Sequence, residues 1–285
     1  MNTNKKYKAS LFSMLFNDPV ILRELYCAIE GVSLPTETPV TINTLSDVLF
    51  MDRVNDISFE IGDRLVILIE HQSSINPNMA FRLLLYITRI FEKIIDKRKI
   101  YSSQKLTIPR PEFFVLYNGV KPFPKEAVLK LSDMFPGLEP LGLPEKSVPA
   151  LELIVRVINI NEGENEEIVK KCRTLSEYSA FVAKVREYEK EGNSWKDSIK
   201  KAVIFCNSND IMKEFLEKNA TEVINMLYTE WDWDEALEVR FEEGIDKGLT
   251  ISAQNALADG FPIETVQRIT GLDIKVIKSL QQEKR

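Results

Sequence analysis

Apolar and polar positions change their period along this chain, and the changes mark its elements. Between residues 5 and 30, Leu11, Met14, Leu15, Leu22, Leu25, Tyr26 and Ile29 recur at helical spacing, with a break at Asn17-Asp18-Pro19. Asp18 is placed to cap the second segment, Pro19 suits its first turn, and Gly31 ends it. Pro35 and Pro39 mark a loop, and strands are predicted at about 47–51, 56–61 and 65–70. Pro77 to Arg98 reads as one long helix, with Asn76 as its cap and Phe81, Leu84, Leu85, Ile87, Ile90, Phe91 and Ile94 as its apolar positions. Pro109 and Pro111 precede a strand from Glu112 to Tyr117, which Asn118-Gly119 closes with a turn. Residues 120–149 are rich in Pro and Gly and read as surface wrapping, and Leu151 to Ile160 is a further β-rich run.

From Glu162 the pattern is helical throughout. Helices are expected over Glu166 to Gly192, Ser194 to Cys206 and Ser208 to Tyr228, with Asn207 and Asp210 as candidate caps. Trp231 and Trp233 read as packing residues of this part. Between Ser252 and Leu280 the apolar spacing breaks at Asp259-Gly260 and Thr270-Gly271, which resembles a helix-turn-helix. Lys275, Lys278, Lys284 and Arg285 give its second helix positive charge, suited to DNA contact or to solubility.

The segment from Asn55 to Ser74 carries the candidate chemistry. Two strands flank Gly62-Asp63-Arg64, which has turn composition. If the loop is those three residues, Ile61 pairs with Leu65, and counting back five on each side sets Asp56 opposite Glu70. Directly opposed residues hold their Cβ atoms roughly 4.5–5.5 Å apart. Two carboxylates so placed repel unless a cation lies between them. Gln72 projects from the same face as Glu70, because strand side chains alternate. A two-residue loop would shift the register by one and send the two acids to opposite faces.

Composition narrows the class. At 285 residues the chain is long enough for one large domain or two small ones, with an ordinary globular balance of apolar and charged residues. Its longest apolar runs are far shorter than the roughly 20 residues that span a bilayer. Cys27, Cys172 and Cys206 are odd in number and widely separated, which suits reduced thiols and a cytoplasmic location. A net charge of −6 argues against a protein that coats nucleic acid, but not against one with a local basic face. The strongest basic cluster is Lys93, Lys97, Arg98, Lys99, Lys105 and Arg110, at the end of the helix that follows the hairpin. It reads equally as a flank of the same site or as cations at a helix C-terminus.

The Asp, hairpin and Glu70-x-Gln72 series resembles the PD-(D/E)XK nuclease core, with Gln72 where many relatives carry lysine. The run Glu70-His71-Gln72-Ser73-Ser74, the Asn76-Pro77-Asn78-Met79 entry to an Arg82-to-Tyr86 helix, and Val115-Leu116-Tyr117-Asn118-Gly119 resemble one branch more closely. So do Tyr7-Lys8-x-Ser10-x-Phe12, the Leu151 to Asn161 strand and Gly244-x-x-x-Gly248. That branch is the Rpn family of recombination-promoting nucleases and transposases, and the resemblance covers almost the whole chain. Ala9 departs from it, standing where relatives carry an acidic residue.

The resemblance implies an α/β fold with a restriction-endonuclease-like core (helix, three strands, helix, strand) and an all-helical C-terminal region. The expected division is a nuclease-like domain over 1–162, a helical domain over 163–248 and a small helix-turn-helix-like tail over 249–285. It implies an endonuclease acting on DNA with Mg2+ or Ca2+ as cofactor, Mn2+ being admissible. Asp56 and Glu70 are the expected metal ligands, and Gln72 orients water or phosphate by hydrogen bonds. Arg82 and Tyr86, four apart on one helical face, are expected at the phosphate, with Lys97, Arg98 and Lys99 as further DNA-binding candidates. His71, the only histidine, is directed by alternation to the opposite face, in a supporting role. Asp47 is the rival for the aspartate position, with Asp52 nearby, and Glu24 on the first helix is a further candidate ligand. A homodimer suits double-strand cleavage. The competing expectation is a weakly active or inactive nuclease-fold protein that binds DNA or protein through its helical half.

Overall fold

The hairpin and the strands beside it form the centre of a six-stranded mixed sheet, seen in a computed structural model that describes residues 11–44, 56–142, 149–223 and 248–282. The chain divides into two compact units, Met1–Met226 and Leu227–Arg285, with the sheet in the first.

Two helices lead into the sheet, α1 (Leu11–Phe16) and α2 (Pro19–Glu30). Asp18 caps α2 as expected, its Oδ1 accepting the N–H groups of Val20 at 2.7 Å and Ile21 at 3.2 Å, with Pro19 in the first turn. Gly31 ends α2 in the left-handed region at φ 66°, where a Cβ would be strained.

The strands are β1 (Val40–Ile42), β2 (Ile57–Ile61), β3 (Leu65–Gln72), β4 (Arg110–Tyr117), β5 (Glu126–Lys130) and β6 (Ile154–Asn159). Their spatial order is β1-β2-β3-β4-β6-β5. β1, β2 and β3 are antiparallel, β4 is parallel to β3, β6 is parallel to β4, and β5 returns antiparallel on β6. The chain gains the parallel β3–β4 pair through a crossover that contains α3 (Met79–Ile94) and the short α4 (Lys97–Ile100).

Alternation divides the sheet into two apolar faces. Val66, Leu68, Val115, Tyr117, Val155 and Val157 pack against Met79, Leu83, Tyr86, Ile87 and Ile90 of α3. The opposite face meets α1, α2 and the helix α6 (Arg173–Lys190). Phe12 of α1 stacks on His71, Tyr178 of α6 meets both rings edge-on, and Tyr26 of α2 donates to Glu112 of β4 at 3.0 Å. Burial on both faces explains why Val66 to Ile69 is a continuous apolar run instead of an alternating one.

After β6 come α5 (Glu166–Val169), α6 and α7 (Trp195–Ser208), then a helical stretch at 213–223. In the second unit, helical residues 248–258, Ile263–Thr270 and Ile274–Gln282 surround Ala253, Val266 and Ile277. Gly271 makes the turn between the last two at φ 71°. No helix among the described residues is long and apolar enough to cross a membrane.

Four expectations change. The segment between β4 and β6 holds β5, an edge strand hidden in sequence by its Pro- and Gly-rich surroundings. The long helix is shorter at both ends, because Asn76 accepts the N–H of Asn78 in a local turn before α3 starts. The expected helix over 166–192 breaks between α5 and α6. Asp210 caps nothing: it has φ 57° and pairs with Lys213, and Asn207 lies inside α7. The strand expected at 47–51, the segments at 7–10 and 244–247, and Trp231 and Trp233 lie outside the described residues.

Candidate functional site

The hairpin closes in the three-residue register. Ile61 pairs with Leu65 and Ile57 with Ile69, so Asp56, one residue before β2, stands opposite Glu70. Gly62, at φ 55°, supplies the left-handed residue the loop needs.

The two acids are held by backbone. The N–H of Asp56 donates to Glu70 Oε1 at 3.2 Å, and the N–H of His71 donates to Asp56 Oδ2 at 2.7 Å. Glu70 is only 3% exposed. Burial holds both carboxyls well above the usual carboxylate range, and the charge of Asp56 pushes Glu70 further in the same direction. Backbone donors and the Arg82 guanidinium offset part of this.

Arg82 is the one cation that reaches the pair among the described residues. Its Nη2 lies 3.4 Å from Glu70 Oε2 and donates to Tyr86 Oη at 3.1 Å. Burial by itself lowers the Arg82 pKa, but the Tyr86 hydroxyl and the two carboxylates raise it overall, so the guanidinium stays charged. The i, i+4 spacing on α3 therefore brings Arg82 and Tyr86 together, with the Tyr86 ring in the core and its hydroxyl at the site.

Gln72 leaves β3 on the same face as Glu70, and its Nε2 donates to Met79 Sδ at 2.7 Å. Arg82 Nη1 contacts that same sulfur at 3.3 Å. Met79 is fully buried at the start of α3 and joins the two polar groups, a role the sequence reading did not assign. Its position in the Asn76-Pro77-Asn78-Met79 entry was the available signal.

His71 lies on the other face, as alternation requires. Its Nε2 and Tyr178 Oη are 2.8 Å apart, and its ring stacks on Phe12 with centroids 5.1 Å apart. Burial, and secondarily the charge of Arg186, push its pKa down to about 4. It is a half-buried packing residue, neutral at neutral pH.

Other candidates are not brought to the acids. Glu24 accepts the backbone N–H of Arg173 at 2.8 Å, at the first residue of α6 and on the face away from Arg82. Lys97, Arg98 and Lys99 are exposed on α4 beyond the far end of α3, about 18 Å along the helix from Arg82. Arg110 pairs in register with Leu65 at the opposite end of β3 from Glu70. The basic cluster is therefore a separate surface, its cations following a helix C-terminus. Asp47 and Asp52 lie outside the described residues.

The strand ends beside Gln72 are fastened by side chains that sequence reading also missed. Asn118 N–H donates to the Gln72 carbonyl at 2.8 Å, and Arg186 of α6 donates to Asn118 O and Asn161 Oδ1, both at 2.6 Å. A Cβ on Gly119 would lie 2.3 Å from the Ser73 carbonyl oxygen, so only glycine fits.

Asp56 and Glu70 offer hard oxygen ligands and a concentration of negative charge, which suits Mg2+, Ca2+ or Mn2+. Among the described residues no group of three or more His, Cys, Asp or Glu side chains converges for a metal. Such an ion would be held by the Asp56 and Glu70 carboxylates and would keep water ligands, as Mg2+ commonly does.

A family model described as "Putative transposase, YhgA-like" matches residues 43–203, more than half of the chain. The match begins before the hairpin and runs through α6 into α7. No curated protein and no solved structure gives a significant match.

Proposed function

The chain belongs to the YhgA-like putative transposase family, and from that premise we propose that it is a divalent-metal-dependent DNA endonuclease with a PD-(D/E)XK-type core. The reaction is phosphodiester hydrolysis, serving recombination or the movement of a mobile element. The observation that carries this reading is the register that sets Asp56 opposite Glu70 with Arg82 beside them. The order of α2, β1, β2, β3, α3 and β4, with β4 parallel to β3, also supports it, because such a core requires that succession.

In this reading Asp56 and Glu70 hold the ion, and the chemistry it supplies is Lewis acidity toward a phosphate oxygen and activation of water. Arg82 turns from Glu70 toward the phosphate, which it binds through its fork of N–H donors. Tyr86 fixes the guanidinium on its other side. Gln72 carries no charge at neutral pH, so its part is to orient water or phosphate by hydrogen bonds. The fixed backbone donors at both carboxylates keep the ligand oxygens in place without side-chain rearrangement.

A second reading rests on one observation: the Gln72 amide is bound to the Met79 sulfur and not directed at the acids. In that reading the protein is a weakly active or inactive nuclease fold that binds DNA or protein. Supercoiled plasmid titrated with Mg2+, Mn2+ and Ca2+ separates the two. Nicking or linearisation that is lost in Asp56→Ala and in Glu70→Ala supports the endonuclease. Metal-independent DNA retention without nicking replaces it with the binding module.

A further inference from the structure

We propose that β5 is a dimerisation edge, pairing antiparallel with β5 of a second copy of this chain about a two-fold axis through Val128. This inference is independent of the proposed endonuclease activity. β5 ends the sheet, and among the described residues no strand pairs with its outer side. The inner side is fixed by β6: Asn159 N–H donates to the Lys125 carbonyl at 2.8 Å, and Leu131 N–H to the Leu153 carbonyl at 2.9 Å. An antiparallel ladder alternates, so Lys125, Ala127, Leu129 and Leu131 face β6, and Glu126, Val128 and Lys130 turn their N–H and C=O groups outward. Glu126 and Lys130 are exposed, and Val128 is 53% exposed.

Edge strands are usually blunted by charge, and this one carries two charges of opposite sign. Glu126-Ala127-Val128-Leu129-Lys130 is complementary to its own reverse. In the register centred on Val128, Glu126 of each copy stands opposite Lys130 of the other, and Val128 meets Val128. These are the same three residues whose backbone groups point outward, so every pair in that register exchanges hydrogen bonds. Opposed unlike charges then reinforce the ladder. A slip of one residue sets outward groups against inward ones. A slip of two in one direction puts Lys130 against Pro124, which has no N–H to give, and in either direction it unpairs the charges.

The surroundings add apolar area. Ile154, which pairs in register with Lys130, is 52% exposed, and Phe135, shortly after β5, is 48% exposed. Among the described residues Glu126 pairs with Arg156 at 3.5 Å, an exposed contact that leaves it available to a second cation. The edge is three strands from β3, so its loss leaves Asp56 and Glu70 untouched.

Sedimentation velocity on the full chain over a micromolar concentration series tests the proposal. A monomer–dimer equilibrium is expected for the natural sequence. Glu126→Lys opposes lysine to lysine and Lys130→Glu opposes glutamate to glutamate, so each weakens dimerisation about tenfold or more. Mixing the two variants restores unlike pairs at both positions, and the mixed dimer recovers the natural affinity. A natural chain that stays monomeric, a dimer that neither substitution weakens, or a mixture that fails to recover overturns the proposal.

Discussion

The backbone N–H of Asp56 donates to Glu70 Oε1 across the mouth of the hairpin, and the Asp56 carboxylate takes the next N–H along, from His71. Each acid is therefore positioned by strand geometry, and either can be neutralised while the other stays in place. Asp56→Asn keeps an oxygen for the His71 N–H and removes one of two repelling buried charges. It is expected to raise metal-free stability by about 1 kcal/mol above about pH 8, where Glu70 also ionises, or roughly 2–4 °C in melting temperature for a unit of this size. The same variant, and Glu70→Gln, are expected to lose metal-dependent plasmid cleavage by about a thousandfold. Melting curves with and without Mg2+, read beside cleavage rates, check both. Unchanged cleavage would remove Asp56 from the proposed centre.

The raised carboxyl pKa values fix the sign of a pH effect. A carboxyl raised by folding stabilises the protein below its unfolded value of about 4, and that contribution is lost as pH rises through the folded value. Above about pH 7.5, a unit past its unfolded value, histidine is largely neutral in both states, so His71 adds little slope there. The metal-free melting temperature is expected to fall as pH rises from about 7.5 to about 9, and to fall less in Asp56→Asn. Apparent Mg2+ affinity is expected to rise over the same range, because protons and metal compete for the same oxygens. Calorimetric titrations at several pH values check this.

The hairpin was legible because its register depends on local rules only: turn composition at Gly62-Asp63-Arg64, then period-two counting to Asp56 and Glu70. Helix α2 was legible for the same reason, through Asp18, Pro19 and Gly31. β5 was not, since a short edge strand between prolines lacks the buried alternation that reveals central strands. The Met79 link to Gln72 and the Arg186 clamp on Asn118 were also hidden. Both join residues through tertiary packing, seven and 68 positions apart, and no periodicity records such contacts. The distance of the basic cluster from the acids was not legible, because helix length separates residues near in sequence: α3 carries Lys97 to Lys99 away from Asp56 and Glu70.

His71 and Tyr178 make a part-buried polar pair that stabilises the fold without touching the acids. Tyr178→Phe takes the hydroxyl partner from the half-buried His71 Nε2, which costs about 1 kcal/mol. Because folding depresses the His71 pKa to about 4, its contribution is present above about pH 6.5 and lost as pH falls toward 4. His71→Phe is expected to flatten that acid limb while leaving cleavage per folded molecule within about threefold. Loss of cleavage in a folded His71→Phe protein would give the imidazole a chemical role.

Gly119 occupies a position that no side chain can share. A Cβ there meets the Ser73 carbonyl and the Tyr117 hydroxyl, each at 2.3 Å, and that hydroxyl donates to the Lys121 carbonyl at 2.8 Å. Gly119→Ala must displace backbone at the end of β3, directly beyond Gln72. A cost of about 2–4 kcal/mol is expected, read as a lowered urea midpoint at unchanged slope. A neutral result would mean that the strand ends shift freely around this turn.

If the proposed nuclease reading holds, Gln72 stands where the resembled nuclease class carries lysine, and introducing lysine there is expected to harm the protein instead of improving it. The Gln72 amide and the Arg82 guanidinium meet at the same Met79 sulfur, within about 6 Å of each other. The ammonium introduced by Gln72→Lys would join Arg82 beside a buried thioether that cannot offset a second positive charge. It would also compete with the ion for Glu70, which already contacts Arg82 at 3.4 Å. Gln72→Lys is therefore expected to lower stability by about 1–2 kcal/mol and to weaken Mg2+ dependence without raising the cleavage rate. Gln72→Lys combined with Arg82→Gln removes the like-charge conflict and is expected to recover the stability. If the single Gln72→Lys variant cleaves faster than the natural chain, the orienting role assigned to the glutamine is wrong, and charge at this position limits the rate.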